Sequence, residues 1–144
     1  MLVQQILNGK PSKKISTITA DAKVSEAAEV LSSLRIGALV VSSDGETVEG
    51  MFSERDIVSE LGKRGAGCMD MQVSELMTRE IFTCSKTDTA HSVLQKMTDE
   101  RVRHLPVMEG EKMIGLISIG DVVLARLSEM TMENQALEGM IKGF

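Results

Sequence analysis

The chain has 144 residues, a net charge of −5 and an apolar fraction of 42%. This length suits one compact domain or two small ones that share a core, and the composition is typical of a soluble globular protein. An acidic chain without a long basic run argues against sequence-independent binding to nucleic acid. With three Phe and no Tyr or Trp, it also has few side chains on which bases could stack.

Neither a membrane span nor a secretory signal is visible. No apolar stretch reaches spanning length, and the first residues lack a charged start followed by an apolar block. Cys68 and Cys84 are isolated, which predicts reduced thiols, and no cluster has metal-ligand spacing. We therefore expect a cytoplasmic protein with no membrane partner and no metal.

Strand and helix patterns follow one another in a fixed order along the first half. Residues 14–18 are rich in β-branched side chains and predict a strand, and residues 25–34 carry apolar residues at helical spacing. A strand at 37–41, a turn at 43–46 and a strand ending at Ser53 predict a hairpin. Residues 54–61 predict a closing helix. The glycine-rich residues 62–67 predict a flexible connection, because they match no phosphate-binding pattern.

The second half repeats that order. The corresponding predictions are a strand at 80–84, a helix at 90–100, a hairpin across 104–118 and a helix at 120–127. Segments 3–7 and 73–77 resemble each other, and each precedes the first strand of its half. Residues 127–144 predict an irregular amphipathic helix, which packs either on its own unit or on a second chain.

The two halves are copies of one unit. Gly50, Ser53 and Asp56 recur 65 residues later as Gly115, Ser118 and Asp121. We predict a first unit at 1–62, a linker at 63–72, a second unit at 73–128 and a helical tail at 129–144. An aliphatic unit of this size is marginal alone, so the expected fold is α/β, with two β-α-β-β-α units packed as a pseudo-twofold pair.

The repeated Ser-x-x-Asp has two interpretations. As a capping box, the acid and the Ser satisfy N–H groups at a helix start. As a ligand site, the helix N-terminus and the Ser hydroxyl favour a phosphate, and the Asp accepts ribose hydroxyls. Both interpretations predict lower stability when Ser or Asp is removed, but only the second predicts lost ligand binding.

Both copies resemble the cystathionine-β-synthase (CBS) domain. The resemblance rests on the leading "VSELM" helix, the Thr of the first strand, "HLPV" or "GALV" in the second strand, and Gly-x-x-Ser-x-x-Asp before the last helix. It covers about residues 3–127. It implies binding of adenosine-containing ligands, namely AMP, ADP, ATP, NAD(H) or S-adenosylmethionine, in clefts that combine the Ser-x-x-Asp of one copy with strands of the other.

When the family's positions are matched to this sequence, the resemblance implies two sets of nucleotide-binding residues. The first consists of Ser53, Arg55, Asp56 and Met51, with Phe82, Thr83, Val102, Arg103 and His104. The second consists of Ser118, Asp121 and Leu116, with Ser16, Thr17, Ile36 and Gly37. Arg55 offers a guanidinium for a phosphate, whereas the corresponding position of the second copy is Gly120, so we expect two sites of different preference.

The resemblance implies a regulatory module that senses an adenine nucleotide, changes conformation and signals to a regulated protein, as a homodimer. The alternative is a dimeric scaffold whose Ser-x-x-Asp motifs are only caps. We predict no enzymatic activity, because no Ser/His/Asp or Cys/His set is evident.

Overall fold

A computed structural model describes residues 1–141, so residues 142–144 of the predicted tail lie outside the described part. The helices are α1 Val3–Asn8, α2 Val24–Leu34, α3 Glu54–Arg64, α4 Val73–Leu76, α5 Ala90–Glu100 and α6 Ile119–Ile141, with a 3-10 helix at Gly65–Asp70. The strands are β1 Thr17–Ile18, β2 Ala38–Val41, β3 Gly50–Ser53, β4 Cys84–Ser85, β5 His104–Glu109 and β6 Lys112–Ser118. The mixed α/β fold predicted from the sequence is thereby confirmed.

The elements form two compact units. The first unit contains Lys14–Phe82 and Gly110–Ile114, and the second contains Met1–Lys13, Thr83–Glu109 and the described residues from Gly115 onward. Each unit therefore differs from the repeated segment of the sequence. Helix α1 of the first repeat belongs to the second unit, and helix α4 of the second repeat belongs to the first unit. The boundaries 1–62 and 73–128 describe the repeat in the sequence, and as domain boundaries they stay a prediction.

The leading helices show this exchange in their hydrogen bonds. Val73, at the start of α4, donates its N–H to the Ala22 carbonyl of the first unit at 2.8 Å and is fully buried. Val3, at the start of α1, donates to the Asp88 carbonyl of the second unit at 2.9 Å and is equally buried. Each leading helix thus completes the core of the unit that carries the other repeat.

The sheet of the first unit positions Ser53. Its strand order is β1-β2-β3, with β1 parallel to β2 and β2 antiparallel to β3. Ala38 is paired with Ser53, so β3 ends beside the start of β2 and α3 follows at once. The core beneath includes Val24, Leu39, Phe52 and Val73. The second sheet has the order β4-β5-β6, and β6 likewise runs into α6 at Ser118.

Most predicted elements are present, but β1 and β4 have only two residues each. The prediction of a flexible connection at residues 62–67 is wrong. Helix α3 continues to Arg64, which forms an ion pair with Glu60 at 3.1 Å, and the 3-10 helix follows. This segment buries Cys68, which is only 1% exposed, so an apolar anchor orders the glycine-rich residues.

The predicted closing helix and the described part of the predicted tail form one continuous helix, α6. It buries Val122 and Ala125 against the second unit, whereas residues 131–138 are all exposed. Residues 131–138 therefore do not pack on the second unit. Within residues 1–141, no helix combines the length and the apolar character that a membrane span requires.

Candidate functional site

The first Ser-x-x-Asp turn joins β3 to α3. Asp56 Oδ2 accepts the Ser53 N–H at 2.8 Å and the Ser53 hydroxyl at 3.3 Å. The Gly37 carbonyl accepts the Glu54 N–H at 3.0 Å. Burial raises the pKa of the Asp56 carboxyl above its ordinary value of 3.8, and the two bonds from Ser53 oppose that rise without cancelling it. The free protein thus holds a carboxylate whose charge is incompletely compensated.

The second Ser-x-x-Asp turn joins β6 to α6 with the same backbone geometry. Asp121 Oδ2 accepts the Ser118 N–H at 2.9 Å, and the Asp121 N–H donates to Ser118 Oγ at 3.1 Å, which completes a capping box. The Arg103 carbonyl accepts the Ile119 N–H at 2.8 Å, as Gly37 does for Glu54. Two copies of one sequence motif therefore give two copies of one turn.

Lys10 distinguishes the second turn from the first. Its Nζ lies 2.9 Å from Asp121 Oδ2 and donates to the Leu116 carbonyl at 3.1 Å. Burial alone would raise the pKa of Asp121, but the Ser118 N–H and the Lys10 ammonium outweigh it and hold that pKa below the ordinary value of 3.8. The two equivalent carboxyls are thus shifted in opposite directions.

The glycine of each motif is required by the leading segment. A Cβ at Gly50 would lie 2.7 Å from Met77 Sδ and 3.0 Å from the Thr78 carbonyl oxygen. A Cβ at Gly115 would lie 2.9 Å from a methyl carbon of Leu7. Leu7 lies in α1 and Met77 directly follows α4, so each glycine allows a leading segment to approach closely.

The other predicted residues are distributed over both units. In the first unit, Met51 exchanges backbone hydrogen bonds with Thr78, and the Ser16 carbonyl accepts the Val40 N–H. In the second unit, the Thr83 carbonyl accepts Lys96 Nζ, Arg103 is exposed, and His104 opens β5. The remaining predicted residues are Thr17 in β1, Leu116 in β6, the half-buried Ile36, Phe82 and Val102, and the exposed Arg55.

In each unit, a main-chain hydrogen bond joins the Ser-x-x-Asp turn to the residue that precedes the second strand of the same copy. Gly37 contacts the start of α3, and Arg103 contacts the start of α6. A cleft of about 510 Å³ opens beside the first of these contacts, lined in part by Ile36, Gly37, Glu54 and Ile57. The assignment of Ile36 and Gly37 to Ser118, and of Val102 and Arg103 to Ser53, stays a prediction.

Sequence reasoning missed Lys10 because 111 residues separate it from Asp121, and nothing in the local sequence marks it. The only available signal was the similarity between segments 3–7 and 73–77. That similarity places Lys10 and Glu80 at matching positions, each three residues beyond the side chain that contacts the glycine.

Comparison with known protein families gives a consistent result. Residues 3–63 and 73–128 each match the family model described as CBS domain. A curated relative, the mitochondrial CBS domain-containing protein CBSX3 of Arabidopsis thaliana, is 36% identical over 129 residues. The match covers 87% of this chain and 63% of that relative, so the chain spans less than two thirds of its length.

Solved structures share the fold. The CBS-domain containing protein ATU1752 from Agrobacterium tumefaciens is 37% identical, with a TM-score of 0.83 over 88% of this chain and 99% of that one. The CBS domain pair of protein MJ0100, solved with 5′-methylthioadenosine and S-adenosyl-L-methionine, is 23% identical, with a TM-score of 0.75. That match covers 91% of this chain and 98% of the other, and at this identity it shows the fold alone.

Proposed function

This chain belongs to the CBS domain family as a tandem pair, and from that premise we propose that it is a regulatory module that binds adenosine-containing ligands. The ligands are AMP, ADP, ATP or NAD(H), bound at the two Ser-x-x-Asp turns. Binding stabilises one conformation, and a regulated protein recognises it. The ligand can shift that equilibrium only by its difference in affinity for the two states.

The observation that carries the proposal is the pair of equivalent turns at the starts of α3 and α6. In each, an Asp carboxylate and a Ser side chain are fixed by hydrogen bonds at a helix N-terminus, whose partial positive charge favours an anion. The carboxylate can accept ribose hydroxyls, and the Ser hydroxyl can donate to a phosphate. The S-adenosyl-L-methionine and 5′-methylthioadenosine bound by the MJ0100 pair are ligands of this class.

A dimeric scaffold is the second candidate, and exposed apolar residues support its dimer contact. Val58 on α3 is 67% exposed, and Leu124 and Leu127 on α6 are 69% and 53% exposed. Met132, Leu137 and Met140 on α6 are exposed as well. We propose that these helices form a homodimer contact, which a nucleotide sensor and a scaffold would both use.

The two buried free thiols, Cys68 and Cys84, agree with a reducing, cytoplasmic location.

Thermal unfolding against a panel of ligands separates the two candidates. The panel is AMP, ADP, ATP, NAD and NADH, with GMP as a base control, on protein shown to be free of co-purified nucleotide. A ligand at 100 times its Kd stabilises a protein by about 2.7 kcal/mol, which is a shift of several degrees in a chain of this size. A selective shift with adenosine ligands supports the sensor, and no shift with any of them supports the scaffold.

Substitutions then locate the binding. Asp56→Asn and Asp121→Asn should each remove part of the shift while the protein stays folded. Asp88→Asn is the matched control, because Asp88 accepts the Ser85 N–H at 2.8 Å in the same manner but belongs to neither predicted set. A full ligand shift in the double variant Asp56→Asn/Asp121→Asn would show that the ligand binds elsewhere.

A further inference from the structure

Lys10 gives the Asp121 carboxylate of the second turn an ion-pair partner. The Lys10–Asp121 pair is partly buried, with the two side chains 28% and 21% exposed. Lys10 lies just beyond α1, the helix that the second unit receives from the start of the chain. Its position is fixed by two acceptors, the Asp121 carboxylate and the Leu116 carbonyl.

The first copy carries the opposite charge at the matching position. Leu7 approaches Gly115, and Met77 approaches Gly50, so the two leading segments align on these contacts. Three residues beyond Leu7 is Lys10, whereas three residues beyond Met77 is Glu80, which is exposed. Among the described residues, the ion pairs include one to Asp121 and none to Asp56.

The local charges therefore differ between the two turns. At the second turn, Asp121 and Lys10 sum to zero. In the first turn of α3, Glu54, Arg55 and Asp56 sum to −1, and Arg55 is exposed. A phosphate group near the first turn meets net repulsion, whereas one near the second does not. An ammonium also has three protons, and the two acceptors of Lys10 leave the third for a phosphate oxygen.

We propose that Lys10 is a specificity-determining residue that makes the second Ser-x-x-Asp turn the site for phosphate-bearing nucleosides. The first turn then prefers adenosine derivatives that place no phosphate beside Asp56. This inference rests on the proposed function and reverses the preference that Arg55 suggests from the sequence alone. It assigns the role to a residue outside both predicted nucleotide-binding sets.

The test compares AMP with adenosine, which differ only in the phosphate, by isothermal titration calorimetry. The background is Asp56→Asn, which weakens binding at the first turn and leaves the second. In that background, Lys10→Met should weaken AMP about tenfold, the value of one charge-assisted hydrogen bond, and leave adenosine within about twofold. Lys10→Arg should restore most of the AMP affinity.

Lys86→Met is the matched control, since Lys86 pairs with Glu109 at 2.8 Å in the same unit but belongs to neither turn. It should change neither affinity. Equal loss of AMP and adenosine in Lys10→Met, or tighter binding of both, would overturn the role assigned to Lys10 while the proposed function stands. If the unmodified protein binds neither ligand, the proposed function fails, and the inference fails with it.

Discussion

The turn at Asp56 and the turn at Asp121 have the same sequence motif and nearly the same backbone hydrogen bonds, yet their carboxyls differ electrostatically. Burial raises the pKa of Asp56, whereas at Asp121 the Ser118 N–H and the Lys10 ammonium outweigh burial and hold the pKa below its ordinary value. The difference comes from the leading segments, which supply Lys10 in one unit and place Glu80 at the matching position of the other. A duplicated motif thus diverges through what packs against it.

The largest expected effects are at the glycines of the two copies. Gly50→Ala should destabilise the protein by about 2 kcal/mol, because the new Cβ meets the main-chain oxygen of Thr78, which cannot rotate away. Gly115→Ala should cost about 1 kcal/mol, because it meets only the methyl groups of Leu7. Urea unfolding measures both, and equal costs would show that the two close approaches are equivalent.

The two carboxylates should respond differently to neutralisation. Asp121→Asn should lower the free energy of unfolding by about 1 kcal/mol at pH 7, because it removes a partly buried ion pair. Asp56→Asn should leave stability within about 0.5 kcal/mol of the unmodified protein or raise it, because the ionised carboxyl is desolvated there. Urea unfolding at low salt provides both values. A larger loss of stability in Asp56→Asn than in Asp121→Asn would contradict the conclusion that Lys10 compensates the charge of Asp121.

The pH dependence of these differences should have opposite signs. The pKa of Asp121 is lowered in the folded protein, so its stabilisation is present above pH 3.8 and is lost as the pH falls through the folded value. The pKa of Asp56 is raised, so its ionised form costs stability at neutral pH, and that cost disappears as the pH falls from the folded value to 3.8. Urea unfolding of the two Asn variants from pH 7 to pH 3 tests the signs, and parallel profiles would refute them.

The smallest expected effect is the coupling of Lys10 to Asp121. A double-mutant cycle with Lys10→Met and Asp121→Asn should give about 0.5–1 kcal/mol, the range of a partly exposed ion pair. The cycle for Lys86 and Glu109 should give less, because their side chains are 44% and 58% exposed. Equal coupling energies in the two cycles would mean that partial burial does not strengthen the ion pair between Lys10 and Asp121.

Local pattern was sufficient for the longer elements. Helices 25–34 and 90–100 follow from apolar spacing, and both hairpins follow from their turn residues. The repeat predicted that Ser53 and Ser118 precede helices, and both do. These features depend on residues that are neighbours in sequence.

Features that depend on distant residues were not predictable. The segment 62–67 was predicted to be a flexible connection because its glycines were weighed without the burial of Cys68. The approach of Leu7 to Gly115 and of Met77 to Gly50 joins residues that are far apart in sequence. The exchange of the leading helices brings Lys10 to Asp121, and no local spacing encodes that contact.

The most direct measurement is a carbon-detected NMR titration of the Asp56 and Asp121 side-chain carboxyls, without ligand and with AMP. We predict that Asp56 titrates above 3.8 and Asp121 below it, and that AMP shifts both resonances, with the larger shift at Asp121. Coincident titrations in the free protein would contradict the difference between the two turns. If AMP binds and neither carboxyl responds, the two Ser-x-x-Asp turns are helix caps and the ligand site lies elsewhere.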